Sequence, residues 1–114
     1  MTTPEKARGS QWERDVAKYF QSRGFDVERR YGAGMQYDKG DLRGLTGWTL
    51  ECKNLKSITL SSIMDETATE MANANTPFGA AIIKRRRKST SEAYVVMSLD
   101  NFVLLCEHLY QTKI

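Results

Sequence analysis

Cysteine is scarce. The 114-residue chain has two, Cys52 and Cys106, and neither belongs to a CxxC or Cys/His cluster. Their separation argues against a disulfide framework and a zinc site, and reduced, cytoplasmic surroundings are expected. Histidine is scarcer still: His108 stands alone, and late in an apolar helix it reads as a surface or packing residue rather than a ligand. No apolar run reaches the length of about 18 residues that a membrane-spanning helix needs. The opening stretch MTTPEKARGSQWERD lacks the apolar core of a signal peptide, so neither a membrane nor a secreted protein is expected. Repeats and low-complexity linkers are absent too, which argues for a single domain over 1–114.

What is present is the composition of an ordinary globular chain, 40% hydrophobic and 27% charged, so disorder is not the default. The formal charge is +3, and the excess is unevenly placed: residues 84–88 read Lys-Arg-Arg-Arg-Lys. A solvated loop accounts for such a run, but its local density favours a polyanion, and nucleic acid is the polyanion most often met this way.

The chain reads as alternating helices and strands. Thr3 before Pro4 is a helix start, with the hydroxyl as cap, and Trp12, Val16, Tyr19 and Phe20 recur at helical spacing until Gly24. FDVERRY then alternates, with Phe25, Val27, Arg29 and Tyr31 on one side, as a strand does, and GAGMQYDKG is a glycine-rich loop. Residues 41–44 and 48–53 form a predicted hairpin through Leu45-Thr46-Gly47. A helix is predicted from about 62 to 75, with Ile63, Thr67 and Met71 in its apolar stripe. GAAIIK and EAYVVMS are strands flanking the basic loop, and LDNFVLLCEHLY closes as a helix. The order is approximately αβββαββα, an α/β or α+β mixed sheet of five strands flanked by helices. The apolar stripes of the last two helices are expected to serve as core rather than as a dimer surface.

Within the hairpin, strand alternation puts Trp48, Leu50 and Cys52 on one face and Thr49, Glu51 and Lys53 on the other. Glu51 and Lys53 then project together about 7 Å apart, with Asp41 on the neighbouring strand. Magnesium takes hard oxygen ligands and commonly only one or two carboxylates. Asp41 and Glu51 are right in type and number, the backbone carbonyl of Cys52 offers a third oxygen, and Lys53 would stand beside the metal to orient or deprotonate water. Glu13 has Val16, Ala17 and Phe20 at i+3, i+4 and i+7, so it lies beside the buried stripe, where a carboxylate needs a partner. A boundary glutamate paired with Lys18 or Lys53 satisfies the same pattern.

The order Glu13 … Gly24-Phe25-Asp26-Val27 … Arg29 … Gly32-Ala33-Gly34 … Asp41 … Glu51-Cys52-Lys53 resembles the PD-(D/E)xK nuclease superfamily, and within it the archaeal-type Holliday-junction resolvases and their phage relatives. The resemblance implies a restriction-endonuclease-like core and a magnesium-dependent endodeoxyribonuclease, with manganese as a substitute ion, acting as a homodimer on four-way DNA junctions. It also implies that Asp41 and Glu51 bind metal, that Lys53 assists the nucleophile, and that Glu13 is the outer carboxylate of the site. Residues 31–40 contain no Ser or Thr, where many archaeal members carry a serine. Arg29, Arg30, Lys39, Lys84, Arg85, Arg86, Arg87 and Lys88 are the candidate DNA phosphate contacts. Two rival readings stand beside this one: an enzyme cutting other branched, nicked or duplex DNA, and a non-catalytic DNA-binding protein that keeps the fold.

Overall fold

The computed structural model describes residues 3–30 and 39–111. The glycine-rich loop expected over 32–40, apart from its last two residues, lies outside the described residues, as does Tyr31.

Helix α1 spans Pro4–Ser22 and starts as expected: Thr3 Oγ1 accepts from the Lys6 amide at 3.1 Å, and proline occupies the first turn. It ends at Gly24, whose φ of +92° is a left-handed conformation that costs glycine little. Strand β1 (Glu28–Arg29) is shorter than the FDVERRY alternation predicts. Val27 is fully buried, but Phe25 is half exposed and stacks edge-on against Phe20 at 6.0 Å, so the chain leaves the helix before it joins the sheet. Strands β2 (Leu42–Arg43) and β3 (Trp48–Lys53) follow, then α2 (Leu60–Ala74) and β4 (Phe78–Ile83). A 3-10 turn (Thr90–Glu92) leads to β5 (Tyr94–Val96) and α3 (Leu99–Tyr110).

The result is an α/β fold with an open, five-stranded mixed sheet in the order β1-β2-β3-β4-β5. Among the described residues only β3 and β4 run parallel, in the register Glu51↔Ala81 and Lys53↔Ile83, because α2 carries the chain back across the sheet between them. The other neighbours are antiparallel. Helix α1 covers one face, where Trp12, Val16 and Ala17 pack with Val27, Leu42, Leu50, Cys52, Ala80 and Ile82. The Trp12 indole also donates to the Ile82 carbonyl at 3.0 Å, which satisfies its one polar atom inside the core. Helix α2 covers the other face, with Ile63 against Ala81 and Ile83. Strand β4 is buried along its whole length, which explains the unbroken apolar run FGAAII.

Helix α3 spans the residues expected of it but does not bury its apolar stripe. Asn101 is its one buried residue: it accepts from the Gly79 amide at 2.8 Å and donates to the Pro77 carbonyl at 2.7 Å, clamping the helix to the start of β4. Leu99 and Tyr110 are each 77% exposed, and Phe102, Val103 and Leu109 are exposed as well. The expectation that this stripe belongs to the core is corrected: the sheet's two faces are already occupied by α1 and α2, and α3 meets only its rim. No helix among the described residues is long and apolar enough to cross a membrane.

Candidate metal centre

Strand alternation in β3 runs as the sequence predicts, but both faces are covered. Leu50 and Cys52 enter the core under α1. Thr49 and Glu51 turn toward α2 and are buried too, Glu51 being only 4% exposed. Lys53, at the end of the strand, reaches the rim and forms a 2.6 Å ion pair with Glu66 Oε1.

Helix α2 supplies the remaining acids. Ile63, Thr67 and Glu70 recur at i, i+4 and i+7 and are its buried residues, so Glu70 stands inside the apolar stripe, with Glu66 one turn away. Glu51, Glu66 and Glu70 each bring one carboxylate oxygen to within 4.8 Å of the others. Like charges at that distance repel by on the order of 3 kcal/mol per pair at an effective dielectric of about 20, so the group in its ionised form calls for a cation. Lys53 supplies one positive charge, to Glu66. Glu51 Oε2 is buried and has no hydrogen-bond partner among the described residues. Carboxylate oxygens on a strand and a helix, one of them unsatisfied, fit a hard divalent ion such as magnesium or manganese; this triad can hold a metal.

Asp41 sits immediately before β2, whose Leu42 faces Leu50. Its Oδ2 accepts from the Cys52 amide at 2.7 Å and its carbonyl accepts from the Arg30 amide at 2.8 Å, so it ties β1, β2 and β3 together. Asp41 is not part of the three-glutamate group. It lies near Glu13 instead. Burial, with the Asp41 charge second, pushes the Glu13 carboxyl above its ordinary value, while Arg29, whose Nε donates to Glu13 Oε1 at 3.1 Å, opposes the rise. Burial likewise pushes the Cys52 thiol up, with the Asp41 and Glu13 charges adding to it. A thiol so held is inert, and Cys52 contributes to the site through its backbone, whose amide is committed to Asp41.

The predicted residues thus fall into two groups. Glu13 pairs with Arg29 and feels the charge of Asp41, which holds the Cys52 backbone amide; Glu51 and Lys53 meet the glutamates of α2. Glu66 and Glu70 were not among the residues expected from sequence, although a glutamate at i+7 from Ile63 in an apolar stripe is a signal of the same kind as the one that singles out Glu13. Among the predicted phosphate contacts, Arg29 is engaged by Glu13 and Arg30 has its Nε buried with no hydrogen-bond partner among the described residues. Lys39 is partly buried. Arg85 turns away from its neighbours: its guanidinium lies 4.8 Å from the Tyr94 ring and donates to the Glu92 carbonyl at 3.3 Å.

Comparison of the chain with protein-family models, with curated proteins and with solved structures finds no match.

Proposed function

We propose that the protein is a divalent-metal-dependent endodeoxyribonuclease of restriction-endonuclease-like architecture, acting as a homodimer on branched DNA, with the four-way junction as its substrate. The observation that carries the reading is Glu51: a buried strand carboxylate with an unsatisfied oxygen, next to the glutamates of α2 and two residues before Lys53. Glu51, Glu66 and Glu70 would hold the cation. When bound, a divalent ion polarises the phosphate and makes water a nucleophile near neutral pH. Lys53, at the rim of the same face, balances phosphate charge once Glu66 turns to the cation. Asp41, a metal ligand in the implied family pattern, here holds the β3 backbone through Cys52, near the ion pair of Glu13 on α1 with Arg29 on β1. The order α-β-β-β-α-β and the parallel β3–β4 pair support the architecture. The exposed apolar residues of α3 and the edge of β5, unpaired among the described residues and with Val95 64% exposed, support a second copy as partner. A two-fold pair would bring two cutting sites to one junction.

A non-catalytic DNA-binding protein with this fold is the second reading, and the Lys53–Glu66 pair favours it: the ammonium is neutralised by a carboxylate where a nuclease would present it to phosphate. The deciding experiment is cleavage of a labelled four-way junction with magnesium, beside the same arms as linear duplex, by wild type and Glu51→Gln. Paired symmetric nicks lost in the variant support the proposal. Cutting of every substrate keeps the nuclease and removes the junction specificity. Binding without cutting in magnesium or manganese leaves the second reading.

A further inference from the structure

We propose that a cationic cleft at the carboxyl-terminal edge of β3 and β4, built by Arg8, Asn54, Lys56, Lys84, Arg86 and Arg87, holds the phosphates of a DNA strand without reading its bases. The inference rests on the reading of the protein as a DNA-binding enzyme and adds where the strand lies. Lys53 and Ile83 end their strands side by side, and the Lys84 amide donates to the Lys53 carbonyl at 2.9 Å as a last rung. From that rung the segment Asn54-Leu55-Lys56 and the basic turn leave the same edge of the sheet, and α1 brings Arg8 over them. The cavity is about 290 Å³.

Its lining decides the ligand. Among the described residues, beyond the five cations and the Asn54 amide only Leu55 contributes; no described carboxylate or aromatic ring faces the cavity. Without an aromatic there is nothing for a base to stack on, and five of the seven lining side chains are cations that answer phosphate charge whatever the base. Phosphate is the group that suits such a wall. Local structure keeps the cations in place. Lys84 Nζ sits 5.0 Å from the Trp12 ring centroid, and Arg8 has one weak acidic neighbour, exposed Glu5 at 3.9 Å. Arg87 adopts φ +62°, a left-handed position glycine usually takes, in a turn closed by the Lys88 amide on the Arg85 carbonyl at 3.3 Å. The chain keeps an arginine there at a backbone cost.

The cleft also neighbours the carboxylates. Leu55 lies between it and a second cleft of about 270 Å³ that includes Lys53, Ser57, Thr59, Ser62 and Glu66. A strand gripped in the first passes directly to the second, beside Lys53 and Glu66.

The test is equilibrium binding of a labelled single strand in EDTA, across a salt series, so that metal and cleavage play no part. Arg8→Gln/Lys56→Gln is compared with Lys6→Gln/Lys18→Gln, which removes as much charge from α1 outside the cleft. The expected result is about tenfold weaker binding at moderate salt for the cleft variant alone, with a log–log salt slope shallower by roughly 1.4 for two lost single-strand contacts. Arg87→Gly should also weaken binding while leaving thermal stability equal or higher, which separates lost contact from lost fold. Equal losses in both double variants, or none in either, overturn the cleft, as does a strong preference among strands of permuted sequence. The nuclease reading is separated by Glu51→Gln, which should abolish cutting with the salt slope unchanged. If wild type cuts nothing while the cleft variant still loses binding, that reading fails and the cleft stands.

Discussion

Against α1, the sheet presents Leu50, Cys52, Ala80 and Ile82, and the helix answers with Trp12, Val16 and Ala17. Against α2, the same β3 presents Thr49 and Glu51, and the helix answers with Thr67 and Glu70 beside Ile63. Both faces are buried, but they stabilise the fold unequally. The first removes apolar area from water at about 25 cal/mol per Å². The second desolvates carboxylates and sets them against one another, which is unfavourable unless a cation or a proton intervenes. One face therefore builds the fold, and the other stores the strain from which a binding site is made.

The contrast can be broken first at its strong side. Trp12→Ala removes the largest fully buried side chain under α1 and its bond to Ile82, and should cost about 3–5 kcal/mol in urea or thermal unfolding. On the α2 face the sign reverses: Glu51→Gln should raise stability in EDTA by on the order of 1 kcal/mol through lost repulsion. Manganese or magnesium should stabilise wild type by about 2.7 kcal/mol at a hundredfold excess over its Kd, and the same variant should lose most of that gain. A melting temperature indifferent to both ions would remove the metal centre. Glu66→Gln breaks the Lys53 ion pair, which is partly exposed, so its unliganded stability should shift by less than about 1 kcal/mol in the same melts.

The smallest effect is a matter of pH on the α1 side. Glu13 is raised above its ordinary value of 4.5, so between that value and its folded pKa the native state binds more protons than the unfolded chain. Its contribution is fully present below the ordinary value and is lost as pH rises through the folded one. Glu13→Gln should flatten that decline in a series of urea midpoints, whereas Arg29→Gln, by removing the opposing charge, should carry it to higher pH.

Much of the fold was legible because local chemistry and hydrophobic period agree. The Thr3-Pro4 start and Gly24 stop of α1, the alternation of β3, and the apolar runs of β4 and α3 all appear where the sequence places them. Less of the site was legible. Asp41 and Glu51 are ten residues apart, immediately before β2 and within the adjoining β3, which invites a shared site, yet the Asp41 carboxylate spends a bond on the Cys52 amide and its charge acts on Glu13. Glu70 carries its own signal in the stripe of α2, but that stripe does not say which strand it covers.

Sequence by itself determined the elements, their order, the two-sided alternation of β3 and the density of cations at 84–88, because each depends on residues within a few positions of one another. Tertiary structure decided the rest. It laid α2 over Glu51 and so placed three carboxylates together; it left the stripe of α3 uncovered because both faces of the sheet were taken. It also brought Arg8 and Lys56 to the basic turn, joining charges that are remote along the chain. Those outcomes depend on how helices settle on a sheet, a choice made by the whole core at once and written in no single segment.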